Sequence, residues 1–334
     1  MPAAYFHKTV AARAFKATGK TSEHPNLLYW GAQGPDILLY YGRMRKTTAR
    51  ALEIRGMAGT LHQQKTSEFL TNLLDMAAKG DENRRLYALG FLSHYAVDQV
   101  VHPYVYACSV DVRGRLRITP HLMLEARLDS WLWQREGHKG APRQCEYDVL
   151  ESELSATADM LAKVYEQTFS PASKQDSLTQ TELLTSFHNA RKTCSRLYCK
   201  NFLDVWKLTL LEVVTLKKPL HIVRHTPLPY RVAEDDMALN VEDEEWFSPW
   251  EPKRPRNESV PQLLVNATQL AISYMNAALR YWDGELTREE MQELLGDRSY
   301  YSGLDWQKTE NPDQIHAPGS QKAEDMKLMR KQQQ

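Results

Sequence analysis

The chain has 334 residues, 42% apolar and 25% charged, enough to bury a substantial core as one large domain or two modest ones. Lys+Arg and Asp+Glu balance at 42 each, so the overall charge implies no nucleic acid, anionic membrane or acidic partner. The opening Met1–His7 has no basic segment leading into an apolar one, no run approaches the ~18 apolar residues of a membrane span, and Cys108, Cys145, Cys194 and Cys199 show no Cys-x-x-Cys spacing; together these read as a cytoplasmic protein with reduced thiols, without a secretory leader or a zinc–thiolate site.

In chain order, apolar residues recur at three- and four-residue intervals through Leu61–Ala78, Leu86–Ala107, Leu122–Trp133, Leu150–Phe169, Leu183–Leu216 and Val260–Trp282, which predicts helices. Sustained alternation is missing, so strands are not expected. His102-Pro103 marks a point where its helix kinks or ends. Thr119-Pro120 reads as an N-cap followed by proline at the first helical position, which puts His121 in the first turn. Residues 217–257 are rich in proline and charge and read as a long loop or lid, with Trp246, Phe247 and Trp250 packing part of it down. Residues 1–304 then form one helical domain, and 305–334 a polar, disordered tail. The fold class expected is all-α, a multi-helix bundle with a metal cluster in a cleft.

That last expectation comes from the stretch Gly90–Pro103. Helix positions four apart lie about 40° apart around the axis, so His94, Asp98 and His102 form one stripe. Leu86, Leu89, Phe91, Leu92, Val97, Val100 and Val101 cover the other faces, which predicts a buried helix. A buried carboxylate needs a compensating charge, and no Lys or Arg lies in the stretch to supply it. A divalent cation would. His121 and Glu125 repeat the spacing on the next predicted helix, and His7, Asp36 and His62 complete the candidate set. Imidazole nitrogen and carboxylate oxygen suit zinc, and eight donors exceed what one ion needs. Each element also has a plainer explanation: a helical hydrogen bond for a His-x-x-x-Asp pair, a helix cap for Asp36, a frayed terminus for His7. The convergence of all eight favours a metal cluster. His24, His138, His188, His221, His225 and His316 lack such partners and read as surface or structural, and a phosphohydrolase built on an adjacent His-Asp dipeptide is disfavoured because no such dipeptide occurs.

Through Gly34-Pro35-Asp36, His94-x-x-x-Asp98-x-x-x-His102-Pro103 and His121-x-x-x-Glu125, the sequence resembles the zinc-dependent phospholipase C family, whose superfamily includes zinc-dependent single-strand nucleases. The likeness covers about residues 2–130 and extends more loosely through Trp246–Trp282 and Ser299–Gly303. It implies an all-α bundle with up to three zinc ions: the first on Asp36, His62, His94 and Asp98; the second on His102, His121 and Glu125; the third sharing Asp98 and taking His7. Secreted members complete the third site with an amino-terminal tryptophan. Here Pro2, exposed by removal of Met1, stands five residues before His7, and its amine and carbonyl are the candidates for that position. The three residues between Asp98 and His102, against five in secreted members, require different local geometry near Pro103.

The chemistry implied is hydrolysis of a phosphate ester by zinc-activated water, with Asp36 as ligand or as the base that orients the water. The substrate stays open between a phospholipid and a nucleotide phosphodiester, with no stable nucleic-acid partner expected. Tyr29, Trp30, Tyr40, Tyr41, Tyr104 and Tyr106 are candidate stacking or lipid-facing aromatics, although most such residues are core. Arg43, Arg45, Lys46 and Arg50 are candidate phosphate contacts, although such clusters are usually just solvated. A non-catalytic protein that keeps zinc for structure or ligand binding is the alternative of a different class.

Overall fold

The structure is a computed structural model that describes residues 4–42, 48–111, 114–170, 177–217, 226–228 and 231–306. It is all-α, apart from a two-stranded antiparallel ribbon, β1 (Trp246–Phe247) with β2 (Pro255–Arg256), inside the segment expected to be loop. The polar tail from residue 307, Pro2 and the Arg43-Arg45-Lys46 cluster lie outside the described residues.

The bundle is built around α5 (Glu82–Ala107), a helix buried along most of its length. Asp81 caps its start by accepting from the Arg84 amide at 3.1 Å. Around it pack α1 (Ala4–Ala17), α2 (Asn26–Gly31), α4 (Thr66–Ala78), α6 (Ile118–Arg135), α7 (Glu151–Phe169) and α10 (Val260–Trp282). α2 approaches closely, because it crosses α5 glycine to glycine. A Cβ on Gly31 would lie 2.1 Å from the Tyr87 carbonyl oxygen, and one on Gly90 would lie 2.0 Å from that of Leu28. Pro103 does not end the helix, which continues to Ala107. Having no N–H, it leaves the Gln99 carbonyl without its helical donor.

Two predicted helices are divided. Leu61–Ala78 is split between α3 (Ala49–Gln63) and α4, with Lys65 between them in the left-handed region at φ 56°. Asp297 holds the new start: its Oδ1 accepts from the Thr66 amide at 2.6 Å and from the Thr66 hydroxyl at 2.9 Å. The break places His62 at the end of α3, beside the chain at Tyr300, whose amide donates to the His62 carbonyl at 2.9 Å. Leu183–Leu216 becomes α8 (Gln180–Leu197) and α9 (Phe202–Leu216), because Asn201 caps a new start by accepting from the Asp204 amide. The predicted Thr119 cap is corrected as well. α6 starts earlier, at Ile118 after Arg117, so Thr119 and Pro120 sit inside its first turn together with His121.

In the proline-rich segment Trp246 and Trp250 are buried while Phe247 is exposed. Asp236 pairs with Arg127 of α6, which ties this acidic stretch to the bundle. The four cysteines are free.

Candidate metal centre

Asp36 reaches the centre from a short 3-10 helix, Gly34–Tyr40, that follows α2. Gly34, at φ 55°, has no substitute there: a Cβ would lie 2.2 Å from Cδ2 of His94. His62 comes from α3, His94, Asp98 and His102 from one face of α5, and His121 and Glu125 from the first turns of α6. All of these side chains are buried.

They converge as two groups. Donor atoms of Asp36, His62, His94 and Asp98 lie within 4.8 Å of one another, and so do those of His102, His121 and Glu125. His7 of α1 reaches the same place: its Nε2 is 3.4 Å from Asp98 Oδ1, and its ring stacks on His94 with centroids 4.4 Å apart. Asp98 therefore stands at the centre, with His7, His62, His94 and His102 around it. His102 gets there along a continuous helix, so the short spacing from Asp98 needs no interruption of α5.

Backbone carbonyls orient three of the rings. Nδ1 of His62 lies 2.6 Å from the Ala58 oxygen, Nδ1 of His94 3.1 Å from that of Ala32, and Nδ1 of His102 2.9 Å from that of Tyr300. A carbonyl only accepts, so each Nδ1 donates to it, and each ring turns inward its Nε2, the atom whose lone pair a metal would take. Those Nε2 atoms meet carboxylate oxygens. His94 Nε2 is 3.0 Å from Asp98 Oδ2, yet neither atom has a hydrogen-bond partner. His62 Nε2 is 3.3 Å from Asp36 Oδ1, and His102 Nε2 is 3.5 Å from Glu125 Oε1. Among the described residues no Lys or Arg pairs with these carboxylates. Buried carboxylates need compensating positive charge, which imidazole protons or a metal ion can supply here, and imidazole with carboxylate is a zinc donor set.

Electrostatics without metal show the same demand. Burial pushes the Asp98 carboxyl up, but His102, His94 and His7 outweigh it and hold it well below the usual carboxylate range. Glu125 is likewise opposed by burial and drawn down to about 2 by His121 and His102. His102, disfavoured as a cation by burial, is carried up to about 10 by Asp98 and Glu125. His7 behaves oppositely: burial, then His94, bring it down to about 3, so its ring is neutral. Burial raises Asp36 despite His62 and His94.

Some contributors escaped sequence reasoning. Asp129, fully buried, accepts from the Phe6 amide at 2.8 Å, the Tyr5 amide at 3.1 Å and the Gln144 side chain at 2.6 Å, so it anchors the start of α1 and with it His7. The signal was there: His121, Glu125 and Asp129 continue one i, i+4 stripe. Tyr301 stacks on His62 at 5.1 Å, and its neighbour Tyr300 supplies the His102 carbonyl. Of the candidate aromatics, only Tyr106 borders the donors, 4.8 Å from His121 and 4.7 Å from Trp250. Trp30 and Tyr40 are core, Tyr104 packs on Trp246, and Tyr29 and Tyr41 pack against the core from its edge. Arg50 is no phosphate contact, because Glu182 holds its guanidinium at 2.7 and 2.9 Å and the Ser177 carbonyl takes another donor. His24, His138 and His188 are exposed, while His221, His225 and His316 fall outside the described residues.

A small cavity of about 10 Å³, room for about one water or ion, lies beside the donors, lined by His7, Asp98, His102 and Glu125 with Phe6 and Val105. No curated protein and no solved structure gives a significant match to the chain. The family model described as zinc dependent phospholipase C matches residues 6–177, a span that contains every one of these donors and just over half the sequence. The chain belongs to the zinc-dependent phospholipase C family.

Proposed function

We propose that the protein is a zinc-dependent hydrolase of phosphate esters, a phospholipase C-like phosphodiesterase acting on phospholipid. One observation carries this reading: three buried imidazoles, each with Nδ1–H spent on a backbone carbonyl, turn Nε2 toward carboxylate oxygens that no Lys or Arg pairs with among the described residues. His62, His94 and Asp98 would hold one ion with the Asp36 carboxylate beside it, and His102, His121 and Glu125 another. The third would lie between Asp98 and His7, with the Pro2 amine and carbonyl completing it.

Zinc held there supplies Lewis acidity toward phosphoryl oxygens and a nucleophile at neutral pH. The chain's own groups do the rest. Asp98 concentrates negative charge where cationic neighbours must be kept together. Asp36 turns one oxygen to His62 and the other to His94, and we assign it the role of orienting the attacking water and receiving its proton. Tyr106 and Tyr301 lie 5.8 Å apart beside His121 and His102, where they shield the second group from bulk water. His102, His121 and Glu125 are three protein donors, the number that leaves zinc a coordination position for substrate, and this favours catalysis over a closed structural site.

The phospholipid reading draws on the family and on the failure of Arg50 and most candidate aromatics to face the donors, which weakens the nucleotide alternative. Metal analysis of the purified protein, with hydrolysis of phosphatidylcholine, bis(p-nitrophenyl) phosphate and single-stranded DNA, tests it. Zinc in both groups with turnover of the first two substrates is the expected result; a zinc-loaded protein inert toward every phosphodiester would overturn it. Asp36→Asn should keep its zinc and lose turnover. Loss of zinc instead would make Asp36 a ligand and remove its assigned role.

A further inference from the structure

Among the described residues, α9 carries the longest run of exposed large apolar side chains. Phe202, Leu203, Trp206, Leu210, Leu211, Val213 and Val214 are 66%, 57%, 61%, 47%, 57%, 42% and 70% exposed. At 100° per residue all but Leu211 fall within about 120° of one another around the axis, an outward stripe, and Leu211 lies about 60° beyond its Val214 edge. Val205, Leu208 and Thr209 are half-buried and Glu212 is buried, so the opposite face seats the helix on the protein. The stripe is edged by lysines: Lys200 before the helix, Lys207 on its flank and Lys217 at its end, all exposed. Lys207 has only a loose 4.0 Å approach to Asp204.

We propose that α9 is an interfacial helix, lying in the plane of an anionic phospholipid surface with the Phe202–Trp206–Leu210 face in the acyl boundary and the lysines at the headgroups. Spanning is excluded by length, since 15 residues reach about 22 Å against about 30 Å of hydrocarbon. A second copy fits poorly. A stripe about 22 Å long and about 10 Å wide offers on the order of 200–300 Å², far below the ~800 Å² per partner of a stable protein interface. Insertion into lipid has no such minimum, because its strength scales with apolar area and with attraction between lysines and anionic headgroups. Phenylalanine, tryptophan and leucine on one face with lysine at its edges is the composition such helices use. The choice of lipid rests in part on the phospholipid reading above.

The test is co-sedimentation of the full, zinc-loaded chain with vesicles of phosphatidylcholine, with and without phosphatidylserine, at low and high salt. Binding should require the anionic lipid and weaken with salt. A triple variant, Leu203→Gln with Trp206→Gln and Leu210→Gln, should lose binding by roughly tenfold or more while keeping its thermal midpoint and its turnover of soluble bis(p-nitrophenyl) phosphate. Failure of the native chain to bind vesicles, equal binding by the variant, or a dimer that the variant dissolves without any vesicle binding would each overturn the inference. Vesicle binding without turnover of any phosphodiester would leave the interfacial helix standing and sink the hydrolase reading. Turnover of the soluble ester without vesicle binding would do the reverse.

Discussion

The two groups of donors differ in how firmly the protein holds them. Around Asp36, His62, His94 and Asp98, both histidines are tethered through Nδ1, Gly34 presses against the His94 ring, and Tyr300 and Tyr301 pack on His62. In the second group His102 is tethered to the Tyr300 carbonyl, but Nδ1 of His121 is buried without a partner. His121 also stands in the first turn of α6, next to the ring of Tyr106, which in turn packs on Trp250, rather than deep on α5. Tethering fixes tautomer and direction before an ion arrives. The first group is therefore preorganised to keep a metal, and the second has freedom to adjust as substrate enters.

The strongest way to break this contrast is to remove what the groups share. Asp98→Asn leaves His7, His62, His94 and His102 facing a neutral amide, so zinc should be lost from more than one position. Turnover of bis(p-nitrophenyl) phosphate should fall by roughly a thousandfold or more, on the order of 4 kcal/mol of transition-state stabilisation. Zinc counted by elemental analysis checks the first part; a fully metallated, fully active variant would deny Asp98 any central role.

Gly34→Ala discriminates between the groups. Its Cβ would meet the His94 ring at 2.2 Å with φ at 55°, so strain and overpacking together should cost about 2–4 kcal/mol of stability. Zinc should be weakened in the first group and retained in the second. Urea unfolding with parallel zinc titration reads both, and equal loss from the two groups would show that preorganisation is not local.

Smaller still is Tyr301→Ala, which unstacks His62 and opens the wall beside Tyr106. KM for a lipid substrate should rise several-fold, by about 1 kcal/mol for a lost aromatic contact, with kcat for the soluble ester nearly unchanged. A fall in kcat alone would move Tyr301 from lining the mouth to supporting the metal.

All of the second group and half of the first were legible because helical periodicity maps directly onto a stripe. His94, Asp98 and His102 at four-residue steps inside an apolar run could hardly point elsewhere, and His121 with Glu125 follows the same rule. What escaped depends on distance along the chain. Arg50 reads as a free cation until Glu182, 132 residues away, takes it. The carbonyl that aims His102 belongs to Tyr300, 198 residues on. The division between α8 and α9 carries no Gly or Pro, so the apolar rhythm ran on across Tyr198–Asn201, and only the Asn201 cap marks the boundary.

The finest contrast is one of protons, between His7 and His102. Stripped of metal, His102 has its pKa raised from 6.5 to about 10, with burial opposing and Asp98 and Glu125 prevailing. A raised folded value means a stabilising contribution fully present below pH 6.5 and lost as pH climbs through about 10. Glu125, lowered to about 2, contributes above 4.5 and loses that contribution as pH falls through about 2. Unfolding of the chelator-treated protein should therefore grow easier on both flanks, and the alkaline flank should vanish in His102→Gln. Zinc must displace the His102 proton at pH 7 but finds His7, lowered to about 3, already neutral. Calorimetric zinc titrations in buffers of different ionisation enthalpy should accordingly show proton release that His102→Gln diminishes and His7→Gln leaves in place. Release that disappears with His7 instead would invert the assignment, making the amino-terminal side of the centre the charged one and the α5 side the neutral one.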